Sequence, residues 1–460
     1  MKRSYNVSLK PIWIIVAALI AALPLHVHAQ DDSDAVQAPP DSTKTSRISL
    51  HFQTTYIYQY QPAFYAKYSG QNSLKPAEDK ENSVTATLFF GIRLWKGAEI
   101  YINPEIAGGS GLSGAYGLAA SANGETFRVG DPAPTLYLAR GMFVQTIQLG
   151  AKGNSFTQEG ANEVGGNKPN NYLKLYLGKM SLGDIFDKNA YANDPRSQFM
   201  NWCLMYNGAW DYAANLRGYT YAFAAVLHQG SMTYSAALAT LPVVANGEEL
   251  NTDLSEEYSI NAEIDKAYTL GLFKRKGNIR LLGYYNNGDM GNYAQALMHR
   301  DSAGLPDVIS TRKYGSTKTG ITLNADQQIG NNAGIFLRAG WNDGKTETWA
   351  FTEADEIISA GLSLNGTSWK RKDDNIGLAV DVNGLSQYHR NYLAAGGRGF
   401  QLGDGALSYA NESVLELFYN YKPLSSGIWL TGDYQFVLNP GYNSVRGPVN
   451  VFSFRLHVEL

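Results

Sequence analysis

The stretch GDIFDKNAYANDPRSQFMNW, residues 183–202, concentrates Asp184, Asp187, Asp194 and Arg196. Two carboxylates held close together can serve as the acid and base of a glycosidase, and clustered Asp oxygens can hold calcium. The spacing does not match an EF-hand loop, whose ligands fall at alternate positions and close on a Glu. A structured loop whose acids pair with arginines needs no further assumption, and inside a channel such a loop would fold inward and narrow it. A second candidate, Gly109-Ser-Gly111-Leu-Ser-Gly114, fits the G-x-G-x-x-G pattern and follows a strand. The continuation AYGLAASANG breaks the helix that a dinucleotide site requires, and no second strand ends in an acid at the expected distance. It reads as an extracellular or inward-folded loop. His51, His228, His299, His389 and His457 are scattered without metal-ligand spacing, and no G-x-S-x-G elbow occurs. Cys203 is the single cysteine, so an intrachain disulfide and a Cys-rich metal site are both excluded. We therefore expect no catalytic residue, metal or cofactor.

The elements that position these residues begin after a targeting segment. Lys2, Arg3 and Lys10 precede the apolar run Ile12 to Leu25, and Val27-His28-Ala29 offers small side chains to a signal peptidase. That run is shorter than the ~20 residues a spanning helix needs. Cleavage after Ala29 is expected, with residues 30–46 as a polar leader rich in Asp, Ser, Pro and Thr, and 47–460 as one large domain. The mature chain of 431 residues carries 35 basic and 41 acidic side chains. Such a balance gives no support to a nucleic-acid partner. The 30 Tyr against 18 Phe suit positions half in grease and half in water.

Alternation with period two recurs along the whole chain. SVTATLFFGIRLW puts Val84, Ala86, Leu88, Phe90, Ile92 and Leu94 on one face, with Ser83, Thr85, Thr87, Gly91 and Arg93 on the other. After the tight Trp95-Lys96-Gly97 turn, AEIYINPEI sets Ile100, Ile102 and Ile106 against Glu99, Tyr101, Asn103 and Glu105. The segment LYLARGMFVQ around Arg140 alternates poorly, and either face could be inward. The terminal VNVFSFRLHVEL separates Phe452, Phe454, Leu456, Val458 and Leu460 from Ser453, Arg455, His457 and Glu459. About sixteen such segments are found, roughly 27 residues each with its share of loop, which suits short strands joined by short turns at one end and long loops at the other. The polar faces carry Gly, Ser, Thr, Asn and Tyr with isolated charges, where a soluble surface would carry many Lys and Glu. A wet lumen explains this, and closure removes the sheet edges. The fold class expected is an all-β transmembrane antiparallel barrel of about 16 strands with an inward-folded constriction loop.

Blocks of the chain resemble the carbohydrate-selective outer-membrane porins of the OprB type. They are TATLFFGIRLWKGAEIYINPEIAGGSGLS, DIFDKNAYANDPRSQFMNW followed by GAWDYAANLRGYTYA, GWNDGKTETWAFTEAD, YLAAGGRGFQLGDG and YQFVLNPGYNSVRGPVNVFSFRLHVEL, in that order over residues 48–460. The resemblance implies a 16-stranded barrel in the bacterial outer membrane that passes mono- or oligosaccharides by diffusion. It also implies a pore lined by Arg93, Glu105, Arg140, Asp187, Asn189 and Arg196. Outer-membrane lipid is then the partner of the greasy face, and the barrel-assembly machinery that of the terminal strand. That strand ends in Leu460 where such barrels commonly end in Phe, and both are apolar. Two rival readings stay open at this point: a β-rich glycoside hydrolase, and a plugged structural barrel without conductance.

Overall fold

The computed structural model describes residues 45–125, 132–150, 153–271, 274–423 and 427–460. The expected signal peptide and all of the leader except Thr45 and Ser46 lie outside the described residues. The strands are β1 (Ile48–Gln61), β2 (Asp79–Trp95), β3 (Ala98–Gly109), β4 (Thr135–Gln148), β5 (Asn154–Thr157) and β6 (Gly166–Pro169). They continue as β7 (Tyr172–Met180), β8 (Thr220–Gln229), β9 (Met232–Ala239), β10 (Tyr258–Leu270), β11 (Arg275–Met290) and β12 (Lys313–Gln328). The last are β13 (Ala333–Asn342), β14 (Glu356–Gly366), β15 (Arg371–Gly384), β16 (Glu412–Tyr421), β17 (Ile428–Leu438) and β18 (Val449–Glu459).

Among the described residues, sixteen of these strands close into one barrel, and β5 and β6 form a separate hairpin. Every neighbour is antiparallel, and β1 meets β18 in the register Gln53↔Glu459 to Tyr60↔Phe452. Closure gives both edge strands a partner, so no row of unpaired N–H and C=O groups faces hydrocarbon. The β2–β3 turn shows how tightly one end is tied. Gly97 takes a positive φ of 79°, and a side chain there would meet the Thr146 carbonyl.

Burial is inverted relative to a soluble sandwich. Leu88, Ile102, Leu177, Phe223, Leu281 and Phe454 stand exposed on the outside, while Thr87, Glu105, Asn324, Arg338, Glu416 and Arg455 are buried on the inside. The terminal strand follows the expected division, with Phe454 45% exposed and His457 1% exposed. Aromatic residues cap the outer apolar band. Trp95, Trp369 and Tyr234 lie outward near the short turns, and Tyr58, Tyr221 and Trp341 near the long loops. Tyr234 pairs with Leu227, six residues along β8 from Tyr221. That is ~20 Å of strand, comparable to the apolar thickness of an outer-membrane barrel.

The apolar core sits inside the lumen, between loops that enter from the long-loop end. Phe186, Trp202, Trp210 and Tyr212 of the 181–219 loop pack with Trp349 and Phe351 of the 343–355 loop. The G-x-G-x-x-G segment belongs to a third inward loop, in which Leu112 and residues 118–123 are buried. An isolated bridge joins its Ala120 to Thr352. The polar wall grips the 181–219 loop by its backbone. Arg338 donates to the carbonyls of Leu204 at 2.7 Å and Ala192 at 2.7 Å, and pairs with the Asp187 carboxylate at 3.1 Å. Glu416 accepts from the amides of Met200 and Asn201 at 2.5 and 2.8 Å, and Arg455 donates to the carbonyls of Pro195 and Gln198.

Two outcomes follow from this architecture. Phe454→Arg, at the middle of the outward row, should cost ~2–4 kcal/mol and impair assembly, since a charge would face the bilayer midplane. His457→Gln should fold like the parent, because Gln retains a partner for Thr55 Oγ1, which lies 2.8 Å from the imidazole. Equal loss of the heat-modifiable folded band on gels for both variants would reverse the facing of β18. Arg338→Met removes the ion-pair partner of the buried Asp187 carboxylate and the donor to the Leu204 and Ala192 carbonyls, a penalty of ~3–5 kcal/mol that falls on the loop. Such barrels should form but carry a larger and noisier open-channel current; a current identical to the parent's would show that the other grips suffice.

Candidate functional site

Pro104 opens the site. It has no N–H to give to the ladder, and the β3–β4 register shifts there, from Asn103↔Arg140 to Pro104↔Leu138. Ala139 becomes the extra residue of a bulge, so Tyr137 and Arg140 both turn inward, which strict alternation would forbid. The bulge is the physical reason the Arg140 segment alternates poorly in sequence.

Arg140 meets Asp184 of the 181–219 loop in a two-pronged bond, Nε to Oδ2 and Nη2 to Oδ1, both at 2.7 Å. Burial in the lumen works against the Asp184 charge, but the Arg140 guanidinium outweighs it, and the carboxyl stays below its ordinary range. Arg196 Nε donates to Glu125 Oε1 at 3.0 Å, and its Nη1 lies 3.4 Å from Asp194. Burial raises the Glu125 carboxyl above its usual range despite that arginine.

Glu105 is occupied by hydroxyls. Thr87 donates to it at 2.6 Å, Tyr219 at 3.1 Å, and Tyr137 through a further short hydrogen bond. The carboxylate thereby fixes two rings, each with a cation over its face: Arg217 at 4.4 Å from the Tyr137 centroid and Arg140 at 5.2 Å from that of Tyr219.

These groups line a cavity of about 270 Å³. Aromatic residues line it as well: Trp202 stacks on Phe351 at 4.4 Å, and Tyr206 stacks on Tyr212 at 6.2 Å. Arg217 and Asn193 also line the cavity, and their Nη1 and Nδ2 atoms are buried without a hydrogen-bond partner. Lys188 is exposed to the lumen with no ion pair or hydrogen bond from its ammonium among the described residues. Cationic and amide donors gathered with aromatic rings around one cavity suit a solute with hydroxyls on its edge and C–H groups on its faces.

Of the residues singled out in sequence, the structure brings Glu105, Arg140 and Arg196 together at this cavity. Asp187 and Asn189 are buried beside it as loop anchors: Asn324 donates to Asp187 Oδ1 at 2.5 Å, and Asn189 Nδ2 lies 2.8 Å from Asn324 Oδ1. Arg93 is not part of the group. It binds Glu99 at 3.2 Å near the short-turn end, and Glu105 is six residues, ~20 Å, further along β3. Sequence reasoning missed Glu125, Lys188, Asn193 and Arg217. Arg217 lies in the block GAWDYAANLRGYTYA, but nothing in its spacing shows that a loop carries it over Tyr137.

No curated protein sequence matches the chain. Among solved structures, the high-pH structure of Pseudomonas putida OprB superposes with a TM-score of 0.67 at 15% identity, covering 90% of this chain and 94% of that one. The outer membrane channel DcaP of Acinetobacter baumannii is more distant, with a TM-score of 0.48 at 9% identity over 90% of this chain and 97% of that one. The family model for the carbohydrate-selective porin, OprB family, matches residues 72–460. The chain belongs to the OprB family of carbohydrate-selective porins, and it is a sugar channel of the bacterial outer membrane rather than an enzyme.

Proposed function

We propose that saccharides cross the narrowest part of the lumen through the cavity bounded by Glu105, Arg140 and Arg196, with the 181–219 loop as one of its walls. The observation that carries this reading is that Arg140, Arg196, Arg217 and the exposed Lys188 line one cavity together with the Trp202, Tyr206 and Tyr212 rings. Hydroxyls of a mono- or oligosaccharide accept from the donors, and the C–H side of its ring slides over the aromatics. Asp187 and Asn189 act indirectly by holding the loop that sets the width. Glu105 also acts indirectly, since its oxygens are taken by three side-chain hydroxyls. Passage requires weak binding, in the millimolar region or about −4 kcal/mol.

The outer face supports lipid as its partner, being a continuous apolar surface between two aromatic rims. The terminal strand, with its outward Phe452, Phe454 and Leu460, is the segment a barrel-assembly machine would read. These two partnerships belong to the same proposal.

Sugar block of ion current in planar bilayers tests the path. Arg217→Ala removes one charged donor worth ~1.5 kcal/mol and should weaken block roughly tenfold while leaving the barrel folded. Arg140→Ala should weaken block and raise conductance, because Asp184 and its loop lose their fixed partner. Wild-type block in both variants would place the solute path elsewhere, and absence of any conductance in the parent would make this a plugged barrel.

A further inference from the structure

The turn between β4 and β7 is long for the short-turn end, and its described part, residues 153–171, tucks into the barrel mouth as the β5–β6 hairpin. Its contacts are with lumen-facing side chains. Ser49 donates to the Gly160 carbonyl at 3.2 Å, and His51 lies 3.6 Å from Glu159. Tyr101 receives the Val164 amide at 3.3 Å, and a side chain placed at the inward Gly91 would meet Val164 at 3.2 Å. Arg93 is the hub: it donates to the carbonyls of Ser46 at 2.8 Å and Val164 at 3.0 Å while pairing with Glu99. Lys168 of the hairpin joins Glu99 at 2.6 Å and Glu163 at 2.9 Å. Arg93 is thus a positioning residue for this hairpin.

The hairpin, held by β1, β2 and β3, leaves a cavity of about 1030 Å³ between itself and the neighbouring wall of β4, β7 and β8. Its wall side presents Tyr172 stacked on His228 at 5.3 Å, and Lys174 with its ammonium 5.3 Å from the Tyr176 centroid. The hairpin side presents Thr157, Glu163 and Lys168. Aromatic faces next to cations and neutral donors are the same chemistry as at the inner cavity, repeated at the other end of the path. We propose that the 153–171 hairpin and the inner wall of β7 and β8 form a second saccharide-contact site, in series with the inner cavity at the short-turn mouth. This rests on saccharides crossing the lumen, a family property, and not on which residues form the inner constriction.

Cysteine accessibility tests it without disturbing the fold. Cys203 is buried, so the parent channel is silent to a charged methanethiosulfonate reagent added from the short-turn side. Thr157→Cys should react, lose current on modification, and be protected by glucose or maltose at concentrations that block the parent. The same protection should persist when Arg217→Ala weakens the inner site, which separates the two sites. Modification without loss of current, or without sugar protection, overturns the proposal. Tyr172→Ala supplies a second measurement. Sugar block should lose on-rate when sugar is added from the short-turn side and keep it from the long-loop side; equal rates from both sides overturn the proposal even where Thr157→Cys reacts.

Discussion

The rule that no backbone N–H or C=O can face hydrocarbon unpaired governs the rest of this structure. It forces the sheet to close, and closure turns the protein inside out, so that its outer surface is the greasy one and its interior holds Arg338, Lys318, Glu416 and Arg455. An interior lined with charges is costly unless each finds a partner. The long loops supply those partners with their own backbones: carbonyls of residues 192, 195, 198 and 204 satisfy the arginines, and amides of residues 200 and 201 satisfy Glu416. The inward loops and the charged wall are therefore two halves of one solution. A loop that swung out would leave several buried charges unpaired at once.

A second consequence is that the apolar core lies within the lumen. Trp202, Trp210, Trp349 and Phe351 cannot pack against the barrel's outside, where lipid competes for apolar contact, so they pack with one another between loops. Trp202 and Phe351 also reach the inner cavity, beside Arg140 and Arg196. The aromatic part of that lining therefore arises from how the loops are stabilised.

The sixteen alternating segments read in sequence are the sixteen barrel strands, because a surface bathed in lipid on one side and water on the other imposes a strict period of two. The strand ends were less legible. β12 begins at Lys313, well before the apolar alternation at Ile321, because above the apolar band both faces meet water and the pattern fades. The Arg140 bulge hid for a different reason: a bulge is one residue out of register, and only Pro104 on the neighbouring strand hints at it. Glu105 could be placed inside by parity. Glu125, Lys188, Asn193 and Arg217 could not, since they ride on loops whose course into the lumen follows tertiary contacts with residues up to 313 positions away. Arg93 was legible as an inward charge but not as the anchor of the hairpin, for the same reason.

On the path we propose, the pairing of charges at the inner cavity sets what a neutral solute meets. Arg140 faces Asp184, Arg196 faces Glu125 and Asp194, and Arg217 donates to Glu248, so each guanidinium has a carboxylate within 3.0 Å or slightly beyond. At physiological ionic strength the screening length is ~8 Å, and beyond it such pairs present dipoles rather than net charge. Among the described residues, Lys188 is the cation of the group without an ion pair. Ions are therefore neither strongly concentrated nor strongly repelled by the arginine ladder, while a solute in direct contact still finds fixed donors at hydrogen-bond range. The carboxylates also keep the guanidinium planes from rotating, so a passing hydroxyl meets an oriented donor and the loop pays no further ordering cost. A ladder of unpaired arginines would bind anions tightly and clog. Paired arginines offer contacts that are oriented yet individually weak, which is what transit through a narrow channel demands.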